Sequence, residues 1–166
     1  MVTDALIRSV TAVRELFDAA ACSCALASPE GDSLTFMAAD GIGAEEVIGV
    51  VVPVGRGLVG WTAMSGQPVA VRDVGDDSRF ARDIAESTGY VPTAILAAPF
   101  FDSAGEVVGV LEVLDPAIDT SGDWPLAVLG TLASQLGAIV AGDGPSDADQ
   151  RYLAIGRQVV ELVERR

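Results

Sequence analysis

The 166-residue chain contains no lysine, no histidine and no asparagine. Each absence removes chemistry. Without lysine there is no Schiff-base nucleophile and no phosphate loop of the G-x-x-x-x-G-K-[ST] kind. Without histidine there is no Ser-His-Asp or Cys-His pair, and no imidazole ligand for zinc or haem. Cysteine is scarce: Cys22 and Cys24 are the only two. In a strand this C-x-C pair would share one face. With so few soft ligands a metal has nothing to hold it, and the pair is expected to be small and buried, with a redox role as the lesser alternative. No continuous run of eighteen apolar residues occurs, so no membrane-spanning segment is expected. Asp4 and Glu15 interrupt the N-terminus, which has no basic start before an apolar run and does not read as a signal peptide. The expected setting is the cytoplasm.

What is present points to one folded domain. Half of the residues are hydrophobic and 20% are charged, a globular balance in a chain long enough for a real core. All ten basic residues are arginines, and the net charge is −14. Such a field repels nucleic acid and anionic lipid, so neither is expected as a partner.

Hydrophobic spacing gives the elements. Leu6, Val10, Val13 and Phe17 mark a helix over residues 4–19, with Thr3 or Asp4 as its cap. Ala21–Ala27 and Ser33–Ala39 form a hairpin around the Ser28–Asp32 turn. A short helical turn at Ala44–Ile48 and an apolar stretch at Gly49–Val54 lead into Gly55-Arg56-Gly57-Leu58-Val59-Gly60. Those glycines suggest close backbone approach or positive φ rather than regular structure. Trp61–Ser65 reads as a short helix stopped by Gly66, Val69–Val74 as a strand, and Arg79–Thr88 as a helix stopped by Gly89. Thr93–Phe101 and Glu106–Leu114 make a second hairpin. A long helix follows, capped by Ser121 or Asp123, with Pro125 in its first turn. It is apolar on two faces, so it is expected to pack on the sheet and on something else. Residues 143–166 read as a linker plus a last helix, with Ser146 and Asp149 as a capping box. The order is that of an α+β domain around one mainly antiparallel sheet.

Six segments carry a family resemblance. Gly55–Trp61 resembles the G-x-G-[LI]-x-G segment of GAF domains. Gly66-Gln67-Pro68-Val69 with Asp73 is similar to their G-x-P-v…D step, and Asp77-Ser78-Arg79-Phe80 to their d-p-R-F turn. Ala94–Phe100 resembles S-v-L-a-V-P-L, Val108–Val113 resembles i-G-V-L-e-l, and Leu129–Ile139 resembles the closing helix. Each is weak alone. Their order over residues 55–140 makes them strong together.

The resemblance implies a GAF-like sheet of five or six antiparallel strands with helices on both faces. The N- and C-terminal helices would lie together on one face, where such domains often form homodimers. The ligand pocket would lie on the other, under the crossover and the Arg79–Thr88 helix. Its ligand-contact candidates are Phe36, Trp61, Asp73, Arg79, Phe80, Phe100 and Glu112. Trp61 would be a pocket wall or a core residue. Asp73 would meet the ligand or cap a loop. Arg79 would clamp an anionic group or pair with Asp76 or Asp77. Phe80 would anchor its helix, and Phe36 and Phe100 would wall the pocket. Glu112 is expected on the face opposite Val110; if buried, it needs a partner.

Departures from the family narrow the function. The cysteines lie in the first strand, where a bilin is not attached. No histidine is available for haem. The N-K-x-n-F-x-x-x-D/E signature of cyclic-nucleotide binders is absent. The family's free methionine sulfoxide reductases need pocket cysteines, one of them where Val59 stands. The expectation is therefore a non-catalytic sensory domain with no catalytic or metal-binding residues and with no cofactor identified. The alternative is a dimerisation or adaptor module with a degenerate pocket; a reductase ranks third. No kinase, cyclase or DNA-binding segment follows in this sequence, so a complete chain would signal through a separate partner.

Overall fold

The computed structural model describes residues 2–142 together with positions 158, 161 and 164. The expected linker and last helix, with its Ser146–Asp149 capping box, lie outside the described residues apart from those three positions.

Helix α1 (Val2–Leu16) buries Leu6, Val10, Val13 and Leu16, one helical stripe. It begins before Thr3 and Asp4, so neither caps it; Asp4 instead lies in the first turn, where a negative charge suits the helix dipole. It also ends earlier than residue 19. Asp18 takes a φ of 45°, and Ala19 already pairs with Pro116 across the sheet. Strands β1 (Ala19–Ala27) and β2 (Ser33–Gly41) form the first hairpin. Then come α2 (Ala44–Val47), β3 (Val51–Pro53), α3 (Gly57–Ser65) and β4 (Val69–Val71). A 3-10 turn at Val74–Asp76 precedes α4 (Arg82–Ser87), and β5 (Ile95–Phe101), β6 (Val107–Pro116) and α5 (Trp124–Ala141) complete the domain.

The six strands form one antiparallel sheet in the order β3-β2-β1-β6-β5-β4. Between Cys24 and Ala25 the β1–β2 register shifts: Cys24 pairs with Ala38 and Ala25 with Phe36, leaving Met37 as the extra residue of a bulge. Because side chains alternate, that extra residue lets β2 serve both faces. Leu34 and Phe36 join one core cluster, and Ala38 joins the other.

Each face of the sheet carries its own core. One joins α1 and α5 to the sheet through Leu6, Val10, Phe17, Leu111, Val113, Leu129 and Leu136, with Phe100, Cys22 and Cys24 among them. The other joins α3 and the β4–α4 segment through Phe36, Val52, Leu58, Val59, Val71, Val74, Ile95 and Val110. In length and apolarity α5 matches a membrane-crossing helix, but its Leu129, Ala133 and Leu136 are buried against the sheet. Asp123 takes its N-cap position without a side-chain cap bond, and Pro125 sits in its first turn.

Boundaries around the cavity also differ from the sequence reading. The glycine crossover is not irregular throughout: α3 starts at Gly57 rather than Trp61. Gly60 is required by packing, since a Cβ there would lie 2.6 Å from the Pro53 carbonyl oxygen. β4 stops at Val71, three residues early, where the chain turns into the 3-10 segment. α4 starts at Arg82 rather than Arg79, because the Asp77 carboxylate accepts the Arg79 N–H (2.9 Å) and holds a turn there.

Candidate ligand cavity

A cavity of about 90 Å³ lies on the face of the sheet away from α1 and α5. A single water needs roughly 10–15 Å³ of such space, so the cavity holds several waters or a small organic molecule. Phe36, Val52, Ile95, Glu112 and Leu114 form the floor. The cover comes from Ala44 and Val47 of α2, Gly57–Val59 of α3, Phe80, Ala81, Ile84 and Ala85 around α4, and Thr88, Tyr90 and Pro92 beyond it.

Two glycines let the cover close. A Cβ on Gly57 (φ +68°) would come 3.3 Å from the Ala81 Cβ. One on Gly43 (φ +75°) would come 3.1 Å from the Thr88 carbonyl oxygen. An ion pair between Arg56 and Asp83 joins the start of α3 to α4; both side chains are exposed, so it contributes little energy.

Glu112 stands opposite Ser23 of β1 and Ala97 of β5, and is 8% exposed. Burial pushes its carboxyl up to about 7, against the opposing effect of the Ser23 hydroxyl, which hydrogen-bonds to it. Tyr90 lines the cavity and donates its hydroxyl to Asp115. Burial first, and then Asp115, push that phenol up to about 12. Asp115 also accepts the N–H groups of Thr93 (2.9 Å) and Ala94 (2.8 Å), while its own backbone adopts a φ of 50°. The side chain of this left-handed residue, near the end of β6, thus anchors the chain leading into β5.

The structure brings Phe36, Phe80 and Glu112 together at the cavity and leaves four of the expected residues away from it. Phe100 is fully buried, but on the α1–α5 face: β5 alternates, so Ile95 and Ala97 face one core while Leu96, Ala98 and Phe100 face the other. Its ring covers Gly109, its partner on β6. Trp61 packs at the edge of the cavity-side core, with the Arg79 guanidinium 4.4 Å from its ring centre. Arg79 also forms a two-point pair with Asp77 (2.9 and 2.6 Å) and does not line the cavity. Asp73 caps a loop, accepting the Gly75 N–H at 3.0 Å. Glu112 shares the face of Val110, correcting its expected placement; residues two apart on a strand point the same way.

Sequence reasoning missed Ser23, Thr88, Tyr90, Ile84 and Leu58. The alternation 110, 112, 114 was enough to place Glu112. Ser23 becomes visible only through the β1–β6 register.

Cys22 and Cys24 are buried and free. Burial pushes the Cys22 thiol well above its usual range and the Cys24 thiol up to about 12, so both stay protonated at neutral pH.

A family model described as "GAF domain" matches residues 2–140. Among curated proteins, a dual 3′,5′-cyclic-AMP and -GMP phosphodiesterase 11 from Drosophila melanogaster is 43% identical over 61 residues, covering 37% of this chain and 4% of that protein. Among solved structures, the GAF domain of a phosphoenolpyruvate-protein phosphotransferase from Coxiella burnetii superposes with a TM-score of 0.75 at 22% identity, covering 85% of this chain and 83% of that one. A free methionine-R-sulfoxide reductase from Neisseria meningitidis, solved with its substrate, gives 0.71 at 20% identity, covering 86% and 80%. At these identities the structures establish the fold.

Proposed function

The chain belongs to the GAF domain family, and from that membership and its cavity we propose that it is a non-catalytic sensory domain that binds a small molecule beneath α2, α3 and α4. The observation that carries this reading is the cavity itself: mostly apolar walls, partly covered by short elements, with a buried carboxyl on its floor. An apolar pocket with few polar groups is what orients a small ligand. A ligand that fits only the closed cover shifts the equilibrium toward it, and the sheet carries the change to α1 and α5. The cytoplasm is the compartment we assign to it, and its two thiols are free and buried.

A thermal-shift screen with a broad metabolite panel tests the reading. A ligand at a hundred times its Kd adds about 2.7 kcal/mol, or roughly 5–10 °C for a domain of this size. If no compound stabilises the chain, the sensory reading fails.

A second reading has its own observation. Val2 and Ile7 of α1 are exposed, and Leu126, Ile139 and Val140 of α5 are only partly buried against the core. These favour self-association on the helical face, with or without a ligand. Sedimentation equilibrium decides it: a monomer at high micromolar concentration rejects this reading. Sulfoxide reduction finds no support in the chemistry, because both thiols are buried and protonated; an assay with free methionine sulfoxide and a thiol reductant is expected to show no turnover.

A further inference from the structure

The polar groups around the cavity have already committed their hydrogens. The Ser23 hydroxyl bonds to Glu112. The Thr88 hydroxyl donates to the Ala85 carbonyl (2.9 Å), and the Tyr90 hydroxyl donates to Asp115. What these side chains still offer is oxygen lone pairs. Asp40, also at the cavity wall, takes the Arg14 Nε at 2.5 Å. Among the described residues no arginine borders the cavity. Arg79 is spent on Asp77 and Trp61, and Arg56 on Asp83. Glu112 is therefore a buried acid without a cation, on the floor of a mostly apolar pocket.

A buried carboxylate without a counter-ion is costly, and a ligand that supplies the charge removes that cost. We infer that the cavity takes a compact organic cation, a primary or secondary ammonium on a short apolar body, with Glu112 as its counter-ion. This rests on the reading of the cavity as a ligand site. Anionic ligands, phosphate esters included, would meet Glu112 with no compensating side-chain charge.

Binding is coupled to a proton. Below pH 7 Glu112 is largely protonated in the empty protein. The ammonium R–NH3+ binds the carboxylate, and the carboxyl proton leaves to solvent, so charge and atoms balance. Affinity then falls about tenfold for each pH unit below 7 and levels off above it. Two ionisable neighbours of Glu112 do not titrate in that window. The Cys22 thiol of β1 and the Tyr90 phenol after α4 are pushed far above it. Asp40 of β2 is ion-paired with Arg14 of α1. Besides Asp40, Cys22 and Tyr90, the side chains that β2, β3, α2, α3, α4 and β5 turn to the cavity do not ionise.

The test uses butylamine, butanol and butyrate on the 166-residue chain, read by methyl NMR shifts of the lining residues Leu58, Ile84 and Ile95 and by titration at pH 6 and pH 8. Butylamine is expected to shift these methyls and to bind about tenfold more tightly at pH 8. Glu112→Gln is expected to lose at least tenfold of that affinity together with its pH dependence. Butyrate or butanol binding as well as butylamine overturns the cation assignment and leaves the cavity reading standing. So does a Glu112→Gln variant that binds butylamine unchanged. If none of the three shifts the lining methyls, the cavity reading falls with the proposal.

Discussion

The Tyr90 hydroxyl donates to the same Asp115 carboxylate that receives the backbone N–H groups of Thr93 and Ala94. One side chain from the end of β6 thereby ties the cover of the cavity to the start of β5. Hydrogen bonds to a charged group contribute about 1.5–3 kcal/mol each when the partner is otherwise unsatisfied. Asp115→Ala is expected to cost about 3 kcal/mol or more, and Tyr90→Phe about 1–2, both measured by urea unfolding. Equal losses from the two would show that the backbone contacts of Asp115 contribute nothing.

Glu112 makes stability depend on pH in an unusual direction for an acid. Its carboxyl is raised from 4.5 to about 7 in the folded protein. The folded state holds the proton that the unfolded chain releases, so this contribution is complete below pH 4.5 and is lost as pH rises through 7. At 1.36 kcal/mol per unit the loss is roughly 3 kcal/mol. Glu112→Gln should remove that slope and be the more stable protein at pH 8. Parallel stability curves for the two proteins between pH 5 and 8 would contradict this.

Arg79 is held by Asp77 and Trp61 and does not line the cavity. Arg79→Ala removes the Trp61 stacking and the Asp77 pair, both partly exposed, for a cost of about 1 kcal/mol. Trp61 fluorescence should change, while the affinity of any cavity ligand should stay within about twofold of wild type, well under 1 kcal/mol. Loss of ligand binding in this variant would put Arg79 back at the site.

Two glycines of α5 separate helix propensity from packing. Alanine favours a helix over glycine by up to about 1 kcal/mol. At Gly130 a Cβ meets nothing within 4 Å, so Gly130→Ala should stabilise by about that amount. At Gly137 a Cβ would lie 2.5 Å from the Phe101 carbonyl oxygen, a backbone atom that cannot swing aside. Gly137→Ala should therefore destabilise by about 1–3 kcal/mol despite its better propensity. Thermal melts of the pair should move in opposite directions.

Much of the fold was legible because period and punctuation agree. The helical stripe of α1, the two hairpins and the Pro125 start of α5 are all local signals. The ends of α1, β4 and α4 were not, since each is set by a single backbone or side-chain contact: Asp18 at positive φ, the turn after Val71, and Asp77 on the Arg79 N–H. Of the expected ligand contacts, Phe36, Phe80 and Glu112 line the cavity. Phe100 was misplaced because apolarity was read without parity. Trp61, Asp73 and Arg79 take the other role that the sequence offered each of them: core packing, a loop cap and an ion pair with Asp77. Ser23 and Tyr90 depend on register and on the path of the chain after Gly89, which spacing does not encode.

On β6, Leu111 and Val113 pack under α1 and α5, and Glu112 between them looks into the cavity. The two sides of the domain are therefore one peptide unit apart along a single strand. A roll of β6 about its long axis that brings Glu112 toward an occupant must swing its two covalent neighbours against the helices. Under the proposed sensory reading, transmission through this sheet would need no relay of side chains; the strand would act as a rocker whose two arms are consecutive residues.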